Sequence, residues 1–256
     1  MKKSALVCIL GLLIAGPATS TKATEQDDAA MEAVIAKCPG AAKVILEGHP
    51  DMASFEAAKR AEVTAQRATV PAPQYPKLRE SLLEMGRKDQ AIRSSNPDFQ
   101  DPKVVEKFLA ADASNLTRLK KIVAEHGFPT PPMVGQDGFN AAWLLVQHAD
   151  PDPAFQQAML EQMVEKRVVG GEHLAMLTDR VLRAQGKPQR YGSQFTEENG
   201  RRVPQPIEEP LDKLDERRAS MGMMPFDDYR CSIEVMYPAQ KKYPHMDLLR
   251  APLAAP

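Results

Sequence analysis

Apolar residues in this chain recur at helical spacing in stretches of about one helix each, and the stretches stop and restart at proline or glycine. Leu78, Leu82, Leu83 and Met85 share a face that runs to about Arg93. Asp101-Pro102 is an N-cap followed by proline in the first helical position, and it opens a stretch with Val104, Val105, Phe108 and Leu109. Leu116, Leu119, Ile122 and Val123 continue to Gly127, a left-handed cap, either as the same helix or after a break near Asp112. Asp137 caps a stretch with Ala141, Trp143, Leu144, Leu145 and Val146. Asp150-Pro151-Asp152-Pro153 ends it and starts the next, which holds Phe155, Met159, Leu160 and Met163. After Gly170-Gly171 comes a helix with Leu174, Leu177, Val181 and Leu182, closed by Gly186. The pattern predicts a mainly α fold, a single multi-helix domain of orthogonal or solenoid-like helix pairs. One small β-hairpin is expected at about 189–207. Gln189 to Thr196 alternates, Asn199-Gly200 is a hairpin turn signal, and Pro204 and Pro206 confine the return strand to an edge. Short helices around Leu211–Ser220 and Phe226–Tyr237 follow.

The first twenty residues read differently. Lys2 and Lys3 precede an apolar run from Leu6 to Ala15, and the small residues Ala18-Thr19-Ser20 suit a signal peptidase. That run is about half the ~20 residues a membrane span needs, so a cleaved secretory signal is expected at 1–20 and no stable membrane insertion after cleavage. Cys8 lies inside the apolar run, with most of that run after it, which argues against a lipoprotein. The expected location is periplasmic or extracellular. Residues 21–75 form an N-terminal helical extension, a clamp on the main domain or a flexible segment. The main domain spans 76–237, and 238–256 is a C-terminal tail. Two cysteines remain after the signal, Cys38 and Cys231, a candidate disulfide in an oxidising compartment; the alternative is two buried thiols. A formal net charge of −1 gives no global field for nucleic acid, which is not an expected partner.

Four places put polar residues where helical spacing expects core. In Asp89-Gln90-x-x-Arg93, Gln90 and Arg93 share a face that continues that of Leu82 and Leu83, against the alternative of a solvated helix end. In Gln147-His148-x-Asp150, His148 follows Leu144 by four residues and Ala141 by seven, which sets it on the apolar stripe. An imidazole there, beside a carboxylate, can act as acid, base or ligand, or can be a core histidine satisfied by a carbonyl. Asp179 shares a face with Ala175 and Leu182, and a buried carboxylate needs a partner, for which Arg93 and Arg180 are candidates. In an extended Gln189 to Gln194, Gln189, Tyr191 and Ser193 face one side and Gln194 the other, offering neutral groups suited to a sugar, amide or peptide.

These motifs, with Asp112-x-x-Asn115, Gly127-x-Pro129 and Gly186-x-x-Gln189-x-Tyr191-Gly192-x-Gln194, resemble a widespread bacterial domain family of unknown function over about residues 78–196. Ser193 stands where that family often has Thr. The resemblance implies that the polar positions, Asp112 and Asn115 included, belong to one site, and it supplies no reaction.

No phosphate loop, nucleotide-binding fingerprint, hydrolase serine elbow or paired His/Cys metal motif is present, so no cofactor and no metal is expected. The reading is of a polar pocket for a small polar ligand or envelope component, and whether it turns that ligand over is left open. As an enzyme it is a hydrolase or transferase. His148 is then the acid or base, Asp150 or Asp179 orients it, and Arg93 or Arg180 holds charge. Asp89, Gln90, Asp112, Asn115, Gln147, Gln189, Tyr191 and Gln194 bind substrate. The third alternative is a polar network with no ligand.

Overall fold

The computed structural model describes residues 21–69, 71–94, 101–198 and 201–236. The expected signal at 1–20, the turn Asn199-Gly200 and the tail at 238–256 lie outside them. In order, the helices are α1 (Thr21–Lys37), α2 (Pro39–Ile45), α3 (Met52–Thr69), α4 (Pro76–Ser94), α5 (Pro102–His126), α6 (Pro131–Gln147), α7 (Pro153–Glu165) and α8 (Gly171–Ala184). Strands β1 (Phe195–Glu198) and β2 (Arg201–Pro204), a 3-10 turn at Leu211–Lys213, α9 (Leu214–Ser220) and α10 (Phe226–Met236) complete the described chain. The fold is mainly α with one small antiparallel sheet.

Local chemistry sets most boundaries. The Asp101 carboxylate accepts from Lys103 N at 2.9 Å, Pro102 takes the first helical position, and Gly127 (φ 70) closes α5 by donating to Val123 O. Asp152 caps α7 in the same way, accepting from Phe155 N at 3.0 Å ahead of Pro153. α5 runs unbroken past Asp112. α6 starts earlier than its apolar pattern suggests, at Pro131, and a non-helical Gly135 (φ 74) separates its first turn from the rest. Asp137 therefore lies inside α6, where it pairs with Arg79 of α4.

α6 is the axis of the main core. Ala141 to Gln147 are all buried, packed by Leu82 and Met85 of α4, Leu119 of α5, Met159 and Met163 of α7, and Leu177 and Val181 of α8. Each fully buried large apolar side chain contributes roughly 1.5–3 kcal/mol, so this face holds the last turn of α6 tightly. A second core joins Met31, Val34, Cys38, Ala41 and Ile45 of the N-terminal helices to Met224 and Tyr229. α1 and α2 lie against α10, and Cys38 and Cys231 form a disulfide.

The hairpin is shorter than its sequence suggests. Phe195 pairs with Pro204 and Glu198 with Arg201. Upstream, Gln189 makes only a single parallel bridge to Ile207, and residues 190–192 bend away from strand geometry. Among the described residues no helix is long and apolar enough to cross a membrane.

Candidate functional site

The last turns of α4 bring Asp89, Gln90 and Arg93 to the end of α6. Asp89 is 1% exposed. Its Oδ1 accepts from Arg93 Nη1 at 2.8 Å and, at the limit of a hydrogen bond, from Asn115 Nδ2 at 3.5 Å. Its Oδ2 accepts from Gln90 Nε2 at 3.0 Å and faces His148 Nδ1 at 2.7 Å. Arg93 forks, reaching Asp112 Oδ1 at 2.8 Å with Nη2 while its guanidinium lies 4.6 Å from the centre of the Phe108 ring. A buried carboxylate survives only with such company.

His148 follows seven buried residues as the C-terminal cap of α6. An ionised carboxylate can only accept, so the proton of the pair sits on His148 Nδ1 and the lone pair on Nε2. Nε2 has no partner among the described residues, and 19% of the side chain is exposed. Burial pushes the imidazole below its ordinary value. The bond to Asp89 opposes that, and the charges of Arg93 and Arg180 reinforce it. The ring is therefore neutral near pH 7. Burial raises Asp89, but His148 and Arg93 outweigh it and hold the carboxyl below the usual range. Asp112 is raised by burial, with Arg93 opposing.

The orienting carboxylate thus differs from expectation: it is Asp89, not Asp150 or Asp179. α6 packs along α4, so the cap residue His148 faces α4, whereas Asp150, past the helix end, turns to α8. There Arg180 Nη1 donates to both Asp150 oxygens, at 2.7 and 2.8 Å, and Arg180 Nε donates to Gln147 Oε1 at 3.1 Å. Gln156, unexpected from the sequence, donates to Val146 O, Gln147 O and Asp150 Oδ1. Its only signal was its place on the stripe of Met159 and Met163. Burial raises Asp150, but Arg180 and Arg183 hold it below the usual range.

Asp179 pairs with neither arginine. Its oxygens accept the backbone N–H groups of Arg190 (2.7 Å), Tyr191 (3.0 Å) and Ser193 (2.9 Å). Burial raises its pKa, and these amides oppose that. Gln189 spends both ends of its amide on the same loop and the segment after β2, donating to Gln194 O and Gln205 O and accepting from Gln194 N at 2.7 Å. Gln194 Nε2 donates to Ser193 Oγ. Arg218, absent from the sequence reading although it lies one helical turn from buried Leu214, donates to Tyr191 O at 2.5 Å and Met224 O at 2.7 Å. It stacks 4.7 Å from the centre of the Tyr229 ring. At Gly192 (φ 68) a Cβ would meet the Phe226 ring at 2.8 Å.

The expected single site is therefore two arrangements. Asp89, Gln90, Arg93, Asp112, Asn115 and His148 form one cluster, which Gln147, Asp150 and Arg180 adjoin along the end of α6. Asp179, Gln189, Tyr191 and Gln194 form a latch around the loop 189–194, so a strand presenting Gln189, Tyr191 and Ser193 on one side does not form. Among the described residues no group of three His, Cys, Asp or Glu is placed to hold a metal ion.

A family model described as a family of unknown function (DUF6624) matches residues 76–242, which takes in both arrangements and extends the resemblance read at 78–196. No curated protein and no solved structure matches the chain.

Proposed function

As this chain belongs to the DUF6624 family of unknown function, we propose that its domain is an acid–base site for a small polar substrate, with His148 as general base, in an exported protein. The observation that carries the reading is the 2.7 Å contact of Asp89 Oδ2 with His148 Nδ1. It leaves a neutral imidazole whose Nε2 lone pair is unclaimed among the described residues. In the step, Nε2 takes a proton from water or a substrate hydroxyl or amine as that group attacks. Asp89 stabilises the imidazolium formed, and the imidazolium then returns the proton to the leaving group. Arg93 keeps Asp89 ionised, and Gln90 and Asn115 fix its orientation. Such transfers contribute about 10²–10⁴-fold to a rate. The class is a hydrolase or transferase. Export is supported by the signal-like residues 1–20 and by the Cys38–Cys231 bond, which suits an oxidising compartment.

The test is mass spectrometry of a bacterial envelope extract incubated with the wild-type protein and with His148→Asn and Asp89→Asn. The expected outcome is a species converted by wild type, with conversion on the order of 10²–10⁴-fold slower in His148→Asn. A species retained but never converted by wild type makes this a recognition site. Equal conversion by wild type and His148→Asn refutes His148 as the base.

A further inference from the structure

Next to the His148 Nε2 lone pair, the end of α6 holds donors unclaimed among the described residues, Gln147 Nε2 and Arg180 Nη2, and a buried acceptor also without a partner there, Gln156 Oε1. Arg180 Nε can only donate, so the oxygen of the Gln147 amide is the atom facing it, and the amide nitrogen is the atom left over. Gln147 is 3% exposed, and its Nε2 is buried with no hydrogen-bond partner among the described residues. A buried amide donor without an acceptor is costly, and such groups are rare in folded proteins. Arg180 is held on two sides, by Gln147 through Nε and by Asp150 through Nη1. Its remaining nitrogen, Nη2, has no partner among the described residues, and 20% of the side chain is exposed. Of the acceptors nearby, both Asp150 oxygens are bound by Arg180 Nη1 and Gln147 Oε1 by Arg180 Nε, while Gln156 Oε1 is buried with no partner among the described residues. A group that seats on the Arg180 Nη2 edge and reaches Gln147 Nε2 meets donors at both and must itself bring acceptors.

We propose that Arg180 and Gln147 form an oxyanion subsite beside His148, taking a carboxylate or phosphate group of the substrate. The group seats first on the exposed Arg180 Nη2 edge. A small displacement of the guanidinium head then opens Gln147 Nε2 to a second oxygen. The proposal deepens the acid–base reading and rests on it for the role of the bound group, which fixes the substrate while His148 removes a proton from it or from an attacking water. Because its other edges are already anchored, Arg180 loses little freedom on binding. Asp150 offsets part of its charge, so a bare anion binds weakly.

The test is an NMR titration of the full-length protein with sodium acetate, inorganic phosphate and the neutral control acetamide, at constant ionic strength. The Gln147 side-chain amide and Arg180 Nε resonances are followed. Either anion is expected to shift both resonances saturably with a Kd in the ~1–10 mM range, and the tighter of the two identifies the group. Gln147→Glu keeps an oxygen for Arg180 Nε but replaces the free donor with an acceptor. It is expected to melt normally and to weaken the Arg180 response at least ~10-fold. His148→Asn is expected to keep the response, so loss of the base does not masquerade as loss of the subsite. No anion response in wild type, an acetamide response equal to that of acetate, an unchanged response in Gln147→Glu, or a response lost in His148→Asn would each overturn the assignment.

Discussion

At the scale of single residues, the charge state of the cluster is set by burial against specific neighbours. Breaking a buried, hydrogen-bonded ion pair by removing one partner costs about 3–5 kcal/mol, which marks Asp89 as a residue the fold depends on as well as the site. The same balance gives the protein a pH signature. His148 is held below its ordinary value by burial, aided by Arg93 and Arg180, and His173, packed on Trp143, is held down by burial. Unfolded, both imidazoles take a proton near pH 6.5. Their neutral burial is therefore free above about 6.5, and stability is lost as pH falls through 6.5 toward the lower folded values. Asp89, depressed in the fold, withdraws its own contribution only near the ordinary carboxylate range. Asp112 and Asp179 are raised and act in the opposite direction, starting from that same range. Urea midpoints measured from about pH 7.5 down to 5.5, bounds set by the histidine value, are expected to fall. The slope should be shallower in His148→Asn, and an equal slope in that variant would contradict the assignment. The sequence placed His148 on an apolar face and Asp89 in a polar motif at the end of another helix, but did not pair them. Helical spacing reports which side of an element a residue occupies, and these two are 59 positions apart. Asp150 is nearer in sequence, but it lies beyond the helix end, where the chain changes direction.

At the scale of elements, the helices were legible because each carries its own start and stop. Asp101-Pro102, Asp152-Pro153 and Gly127 act locally and need no tertiary partner. The loop 189–194 was misread as strand for the opposite reason. Alternation of side chains specifies a strand only where a neighbouring chain supplies the ladder. Here a carboxylate from α8 takes the amides that a ladder would have used. The peptide units at Tyr191 are gripped from both ends, N–H by Asp179 and C=O by Arg218. Asp179→Asn keeps the shape but turns an acceptor-only group into one that also presents donors to those amides. The expected cost is about 1–3 kcal/mol, with amide hydrogen exchange faster at Arg190, Tyr191 and Ser193 than in α6. Unchanged protection of those three amides would show that the loop is held by something else.

At the scale of the whole molecule, two cores meet through α10 and the loop it covers, and within the second of them a covalent bond ties the N-terminal helices to α10. The pairing of Cys38 with Cys231 was legible from the cysteine count and the expectation of export, while the packing of α1 and α2 on α10 was not, because these Ala-rich helices carry few large apolar residues. Replacing both cysteines with serine is expected to cost about 2–5 kcal/mol and to expose α1 and α2 to protease before the main core opens. Equal resistance in the two proteins would place the stabilisation elsewhere. The bond also makes 193 positions of chain into a closed ring. Under tension applied at its two ends, the force runs from one cysteine to the other and bypasses everything between them. A single-molecule pull on the oxidised protein should extend only the outlying segments. Adding reductant should release about 65 nm of further contour at ~3.4 Å per residue. The cluster around His148 is in this way shielded from any load the chain's ends carry.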